Sequence, residues 1–191
     1  MKTAIILHGR PSKEEYYSDR YPSASNSHWL PWLQKQLLIK DIPAYTPEVP
    51  HCYDLDYEKW CKEFERYEIT SDTILVGHSC GGGFIVRWLG EHPEIKVDKV
   101  ILVVPGAPAV DADWSRYSFF DFAIDPNLAS RTQGVIVFGS DNDSPGIMES
   151  VQKYRAGVKS IQYREFKGYG HFTLKRMGTD AFPELLEEII K

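Results

Sequence analysis

The chain has 191 residues and a formal net charge of −5, with 42% hydrophobic and 26% charged residues. This composition is typical of a globular protein with a sizeable core, and it predicts one domain that spans residues 1–191. The net negative charge argues against a nucleic-acid-binding surface, and no apolar run approaches the length of a membrane span.

Six short runs of apolar or β-branched residues predict strands. In chain order they are Thr3–Leu7, a weaker run at Pro43–Glu48, Thr73–Val76, Val100–Val104, Val135–Phe138 and Ser160–Phe166. Most are continuously apolar, which is typical of parallel strands buried on both faces. Between them, apolar residues recur at helical spacing, as in Trp29, Leu33 and Leu37. The alternation predicts an α/β fold with a doubly wound, mainly parallel sheet, helices on both faces, and ligand sites beyond the carboxyl ends of the strands.

Two stretches lack the period of a strand or a helix. Residues 105–132 are rich in aromatic residues and directly follow a predicted strand, so they predict a minimal lid or pocket wall. Trp114, Phe119 and Phe120 are its tentative lining residues, although these rings would equally suit simple packing on the sheet. Residues 10–26 hold three tyrosines among polar residues and are too long for an ordinary connector, which indicates either function or disorder.

The segment after the third predicted strand has the layout of a nucleophile elbow. Gly77-His78-Ser79-Cys80-Gly81 follows a β-branched run and precedes apolar residues at helical spacing. Such an elbow exposes a serine hydroxyl on a sharp turn, and small residues two before and two after the serine let strand and helix approach. A glycine-rich phosphate loop is the alternative, but the lysine of a Walker loop and the Gly-x-Gly-x-x-Gly fingerprint are both missing.

A serine nucleophile needs a base and a group that orients the base. His171 follows the last predicted strand in a glycine-rich loop, where its ring can reach over the elbow. The preceding strand ends in a turn that supplies two candidate acids, Asp141 and Asp143. One of them is expected to have a structural role instead, in the turn or as a helix N-cap. The chain order of serine, aspartate and histidine is that of α/β-hydrolases.

The oxyanion of an acyl-transfer intermediate needs two donors. Elbow geometry predicts the backbone N–H of Cys80 as one, and the loop after the first strand predicts the backbone N–H of Arg10 as the other. The Arg10 side chain could alternatively contact an anionic substrate. The Cys80 thiol is a weaker candidate nucleophile, because the glycine spacing centres on Ser79.

Taken together, these residues make the chain resemble the α/β-hydrolase superfamily, and within it the family of small serine hydrolases that includes retinoblastoma-binding protein 9 and its bacterial relatives. The likeness covers most of the chain and rests on Ile5–Gly9, Gly77–Gly81, Phe138–Asp143 and Gly170–Phe172. In that family the second of two adjacent acids belongs to the triad. The resemblance therefore implies Asp143 as the acid, with Asp141 as the alternative.

These features predict a serine hydrolase that cleaves a small or medium acyl ester, or a thioester or activated amide, through an acyl-enzyme. A non-catalytic binding module of the same fold is the alternative. We expect a small-molecule acyl substrate, no cofactor, no metal and no nucleic-acid or membrane partner, and the sequence identifies no protein partner. Three cysteines without Cys-x-x-Cys spacing and no signal-peptide core indicate reduced thiols and a cytoplasmic location.

Overall fold

A parallel sheet forms the centre of the computed structural model, which describes residues 1–107 and 118–191. Within these residues the strands are β1 (Thr3–Leu7), β2 (Ala44–Tyr45), β3 (Thr73–His78), β4 (Lys99–Val103), β5 (Val135–Ser140) and β6 (Gln162–Phe166). Their order is β2-β1-β3-β4-β5-β6, and every neighbouring pair is parallel. The carboxyl ends of the strands therefore meet at one edge of the sheet, where the chemistry-bearing loops were predicted.

Helices connect the strands and cover both faces of the sheet. They are α1 (Lys13–Tyr16), α2 (Leu30–Ile39), α3 (Tyr57–Phe64), α4 (Cys80–Glu91), α5 (Pro145–Gly157), α6 (Leu174–Met177) and α7 (Pro183–Ile190), with short 3₁₀ turns at Ala24–Asn26, Cys52–Asp54, Ser118–Phe120 and Leu128–Arg131. Local sequence signals fix the first residue of several helices. The Ser144 side chain accepts the N–H of Ile147 and Pro145 opens α5, which is a favourable helix N-terminus. None of the helices in these two ranges combines the length and apolar character that a membrane crossing requires.

Successive residues of each strand point to opposite faces, and each face carries its own apolar core. On one face Ile5 and Leu75 pack with residues of α3 and α4 such as Trp60 and Phe84. On the other face the intervening strand residues pack with α2 and α7. The members of this second core include Ile6, Val76, Leu33, Leu37, Phe182 and Leu185. The continuously apolar strands predicted this two-sided burial, and the doubly wound α/β fold is confirmed.

Two aromatic residues of the stretch at residues 105–132, Phe119 and Phe120, belong to the first of these cores. Phe119 and Phe120 are buried beside Phe84 and Trp60, and the ring centroids of Phe119 and Trp60 are 5.3 Å apart. Both rings lie in a 3₁₀ turn, Ser118–Phe120, so their burial left no strand or helix period in the sequence. Trp114, the third tentative lining residue, lies outside the described residues.

Candidate active site

Ser79 lies on a sharp turn between β3 and α4. Its backbone φ of 52° and ψ of −117° are unusual for a residue other than glycine, as a nucleophile elbow requires. The neighbouring glycines make the turn possible. A Cβ on Gly81 would lie 2.5 Å from the carbonyl oxygen of His8, and one on Gly77 would lie 2.6 Å from Cα of Gly82. No side chain fits at either position without displacing backbone.

A hydrogen-bonded relay joins Ser79, His171 and Asp143. The Ser79 Oγ is 2.9 Å from Nε2 of His171, and Nδ1 of His171 is 2.8 Å from Oδ2 of Asp143. Because a carboxylate only accepts, Nδ1 carries the hydrogen, and Nε2 of the neutral ring is free to accept the serine proton. The Asp143 side chain is 6% exposed and that of His171 is 30% exposed, so the acid is sheltered while the base faces the site. This arrangement can activate the hydroxyl for attack.

The other candidate acid, Asp141, has a different partner. Its Oδ1 accepts the backbone N–H of Gly168 at 2.8 Å, in the loop that carries His171. Asn142 between the two acids also holds this loop, since its Oδ1 accepts the N–H of Gly170 at 2.7 Å. The sequence patterns did not single out Asn142 for this contact. The geometry favours Asp143 over Asp141 as the partner of the base.

The predicted oxyanion donors lie beside the elbow. Cys80 is the first residue of α4, where backbone N–H groups have no intrahelical acceptor. The loop after β1 passes next to Ser79, since a Cβ on Gly9 would lie 3.1 Å from Cβ of Ser79. The Arg10 backbone N–H lies near the Cys80 thiol, and the Arg10 side chain donates from Nε to the carbonyl oxygen of Tyr53 at 2.8 Å.

The Cys80 side chain is not suited to act as the nucleophile. It is buried, and burial raises the pKa of its thiol to about 12. A thiol must be deprotonated to react, and such a pKa leaves almost no thiolate at neutral pH. The preference for Ser79 therefore agrees with the surroundings of both side chains.

A cavity of about 700 Å³ opens directly above Ser79 and His171. Most of its lining comes from residues 9–30, and Glu48, His78, Thr173 and Lys175 complete it. The side chains of Tyr16, Tyr17 and Tyr21 line it, together with Pro11, Pro22, Ala24 and Leu30. The lining thus combines aromatic and apolar side chains with several charged groups.

For Phe119 and Phe120, this cavity corrects the predicted pocket wall. Neither Phe119 nor Phe120 lines it, because both rings are buried among the side chains that cover one face of the sheet. The stretch at residues 10–26, predicted only to be functional or disordered, supplies the wall instead. Its signal in the sequence was a long, tyrosine-rich connector that directly follows a strand end.

His28 lines the cavity and contacts the segment that follows His171. Its Nδ1 accepts the backbone N–H of Leu174 at 3.3 Å, just beyond His171. Burial, and then the neighbouring His171, lower the pKa of His28. The ring is therefore neutral at neutral pH and adds no charge beside the base.

His8, Glu48 and Cys52 place possible metal-ligand atoms within 4.8 Å of one another. The His8 ring and the Glu48 carboxylate already have structural partners there. The His8 ring contacts the Gly9 carbonyl oxygen at 2.7 Å through Nδ1 and accepts the N–H of Val49 at 3.1 Å through Nε2. The Glu48 carboxylate accepts two backbone N–H groups of the segment at 24–25, and burial raises the pKa of the Cys52 thiol to about 12. These contacts fasten the loops beneath the cavity.

The comparison with known proteins agrees with this geometry. A family model described as serine hydrolase matches residues 20–189. The chain belongs to the serine hydrolase family. The match confirms the resemblance to small serine hydrolases of the α/β-hydrolase superfamily.

Comparisons with individual proteins agree with the fold described above. YdeN of Bacillus subtilis is 33% identical over 87 residues, which span 44% of this serine hydrolase and 45% of YdeN, less than half of that relative. The crystal structure of YdeN superposes with a TM-score of 0.81 at 22% identity, covering 100% of this chain and 97% of YdeN. Carboxylesterase CesB of Bacillus subtilis superposes with a TM-score of 0.59 at 13% identity, over 99% of this chain and 82% of CesB. The two structural comparisons establish the fold.

Proposed function

We propose that this serine hydrolase cleaves carboxylic esters of small or medium acyl groups through an acyl-enzyme intermediate. The observation that carries the proposal is the continuous relay from Ser79 Oγ through His171 to Asp143, with distances of 2.9 and 2.8 Å, at the floor of an open cavity. A binding module of this fold needs a cavity but has no use for such a relay.

The reaction follows from the positions of these groups. Ser79 Oγ attacks the ester carbonyl carbon while Nε2 of His171 takes the hydroxyl proton. Asp143 accepts from Nδ1 and stabilises the imidazolium that forms. The backbone N–H groups of Cys80 and Arg10 are the proposed donors to the oxyanion. The imidazolium then protonates the leaving alcohol, and a water molecule activated by the same ring releases the acid.

The size and lining of the cavity favour small or medium acyl or alcohol groups. A volume of about 700 Å³ lies within the usual range of small-molecule sites, and tyrosine and proline side chains supply apolar contact. The same chemistry would accept thioesters and activated amides, because each presents a carbonyl with a competent leaving group. The structural similarity to a carboxylesterase supports ester cleavage only in that the two proteins share a fold.

The test is hydrolysis of p-nitrophenyl esters of increasing acyl length, together with labelling by a fluorophosphonate probe. We expect turnover and labelling in the parent, with the loss of both in Ser79→Ala and a fall in kcat of about 10³- to 10⁶-fold. Cys80→Ala is the matched control, since it removes the adjacent thiol but keeps its backbone N–H. It should retain turnover and labelling. A parent that folds but neither turns over esters nor takes the probe would favour the binding module.

A further inference from the structure

His78 is the residue directly before Ser79 and is only 3% exposed. Its ring lies among three other rings at the floor of the site. The ring centroids are 5.2 Å away for His171, 5.7 Å for His28 and 5.7 Å for Trp29. A polar ring buried this deeply beside a catalytic base requires an explanation, because an apolar ring of similar size would pack there at a smaller desolvation penalty.

The position of the hydrogen on His78 follows from one contact. Nε2 of His78 lies 2.9 Å from the backbone carbonyl oxygen of His171, and a carbonyl only accepts, so Nε2 carries the hydrogen. Nδ1 is buried and has no hydrogen-bond partner within residues 1–107 and 118–191. Burial, followed by the neighbouring His171 and His28, holds the pKa of His78 well below its usual range. His78 is therefore a neutral ring whose one N–H points at the backbone of the base.

The loop that His78 holds has a demanding backbone. Gly170 has a φ of 53° and Phe172 a φ of 51°, on either side of His171. Asn142, in the loop after β5 that carries Asp143, holds the amino-terminal side of His171 by accepting the N–H of Gly170. The contact from His78 fastens the His171 carbonyl, across a sequence separation of 93 residues. It therefore links the base directly to the neighbour of the nucleophile.

We propose that His78 is a positioning residue, whose Nε2–H holds the His171 carbonyl and thereby sets the distance from the His171 ring to Ser79. This inference rests on the proposed function. The 2.9 Å contact between Ser79 Oγ and His171 Nε2 depends on where the backbone of His171 lies. A displacement of about 1 Å at a reacting group can slow catalysis by about 100-fold.

The neutrality of His78 suits this role. His171 gains a positive charge when it accepts the serine proton, and a cation 5.2 Å away, measured between ring centroids, would oppose that gain. The nearby His28 ring and the more distant His8 ring are also kept neutral, since burial lowers the pKa of each. The His78 ring, which donates to the His171 carbonyl, is therefore uncharged throughout the reaction.

Three substitutions at His78 separate the hydrogen bond from packing. His78→Phe keeps an aromatic ring but removes the donor. His78→Gln keeps a donor near the position of Nε2, whereas His78→Asn carries the same amide on a side chain one methylene shorter, which cannot reach the carbonyl. The matched control is His92→Phe, because the His92 ring also contacts a backbone carbonyl, that of Trp88 at 2.7 Å, on the far end of α4.

We expect kcat for ester hydrolysis, and the rate of fluorophosphonate labelling, to fall about 10- to 100-fold in His78→Phe and His78→Asn. KM should stay within about twofold, since His78 is only 3% exposed and every other residue that lines the cavity is unchanged. His78→Gln should keep kcat within about threefold of the parent. His92→Phe should keep the parent kcat. Thermal unfolding of every variant checks that it is folded before its kcat is compared with that of the parent.

Two results would overturn the role of His78. One is a folded His78→Phe with the parent kcat, and the other is a His78→Gln that loses as much activity as His78→Asn. Should His78→Phe not fold, the comparison of His78→Gln with His78→Asn decides, and equal activities in that pair also refute the proposal. An inactive parent that takes no probe would refute the proposed function itself, whereas an active parent with unaffected His78 variants refutes only the positioning role.

Discussion

Replacing Asp143 by asparagine should nearly abolish turnover, because the local hydrogen bonds dictate which way the new amide points. Asp143 Oδ1 accepts the backbone N–H of Ser144 at 2.6 Å, and Oδ2 accepts from His171 Nδ1 at 2.8 Å. In Asp143→Asn the amide oxygen must remain with the Ser144 N–H, so the amide NH₂ faces His171. Nδ1 then accepts, Nε2 carries the hydrogen, and the ring has no lone pair to take the Ser79 proton.

This reversal of the tautomer should lower kcat by about 10⁴-fold, or about 5 kcal/mol of transition-state stabilisation. Asp141→Asn is the matched control. Asp141 Oδ1 only accepts the N–H of Gly168, which an amide oxygen also accepts, so kcat should stay within about threefold of the parent. The assay is steady-state hydrolysis of a p-nitrophenyl ester. A larger loss in Asp141→Asn than in Asp143→Asn would refute the assignment of the acid.

Three further results are expected. Because burial holds the folded-state pKa of His78 below 6.5, the unfolded chain binds one more proton at low pH. Stability should therefore fall as pH drops below about 6.5, by up to about 1.4 kcal/mol per pH unit. His78→Gln should weaken this pH dependence in thermal unfolding, and an unchanged dependence would contradict the prediction. Gly81→Ala should lower the free energy of unfolding by about 1–3 kcal/mol or more because its Cβ would meet backbone at 2.5 Å, whereas Gly90→Ala in the same helix, with 3.9 Å of clearance, should raise it by about 0.5–1 kcal/mol. Phe119→Ala should cost about 3–5 kcal/mol of stability without changing the preference for acyl length, because the ring is buried. Tyr17 is 60% exposed and lies on the cavity wall, so Tyr17→Ala should raise KM for long acyl esters with little change in melting temperature. A changed acyl-length preference in Phe119→Ala, with none in Tyr17→Ala, would restore the original pocket prediction.

The fold was predictable because its strongest signals are local. Parallel strands buried on both faces are continuously apolar, and the helices between them repeat at helical spacing, so the order of elements can be followed along the chain. The short β2, Ala44–Tyr45, and the half-exposed edge strand β6, Gln162–Phe166, carry the weakest patterns. The elbow was predictable for the same reason, since Gly77, Ser79 and Gly81 are required by one local turn.

The pocket wall was not predictable from local pattern. Phe119 and Phe120 lie in a 3₁₀ turn that buries both rings, and a turn of this length has no period that distinguishes a buried ring from an exposed one. Residues 10–26 lacked periodicity as well, but their side chains line the cavity. Two irregular aromatic segments thus had the same appearance in the sequence, and only their tertiary placement separates them.

The groups that hold the base were harder still to predict, because their partners are backbone atoms. Asp141, Asn142 and His78 each bind a main-chain N–H or C=O of the segment from Gly168 to His171. Sequence reasoning pairs side chains by their chemistry, and a peptide group has the same chemistry at every position. The triad was therefore found from its side chains, while the contacts that aim it became visible only with the parallel sheet, which brings the loops after β3, β5 and β6 to one edge. It follows that activity should survive substitutions that keep an acceptor at 141 and 142 and, at 78, a donor long enough to reach the His171 carbonyl.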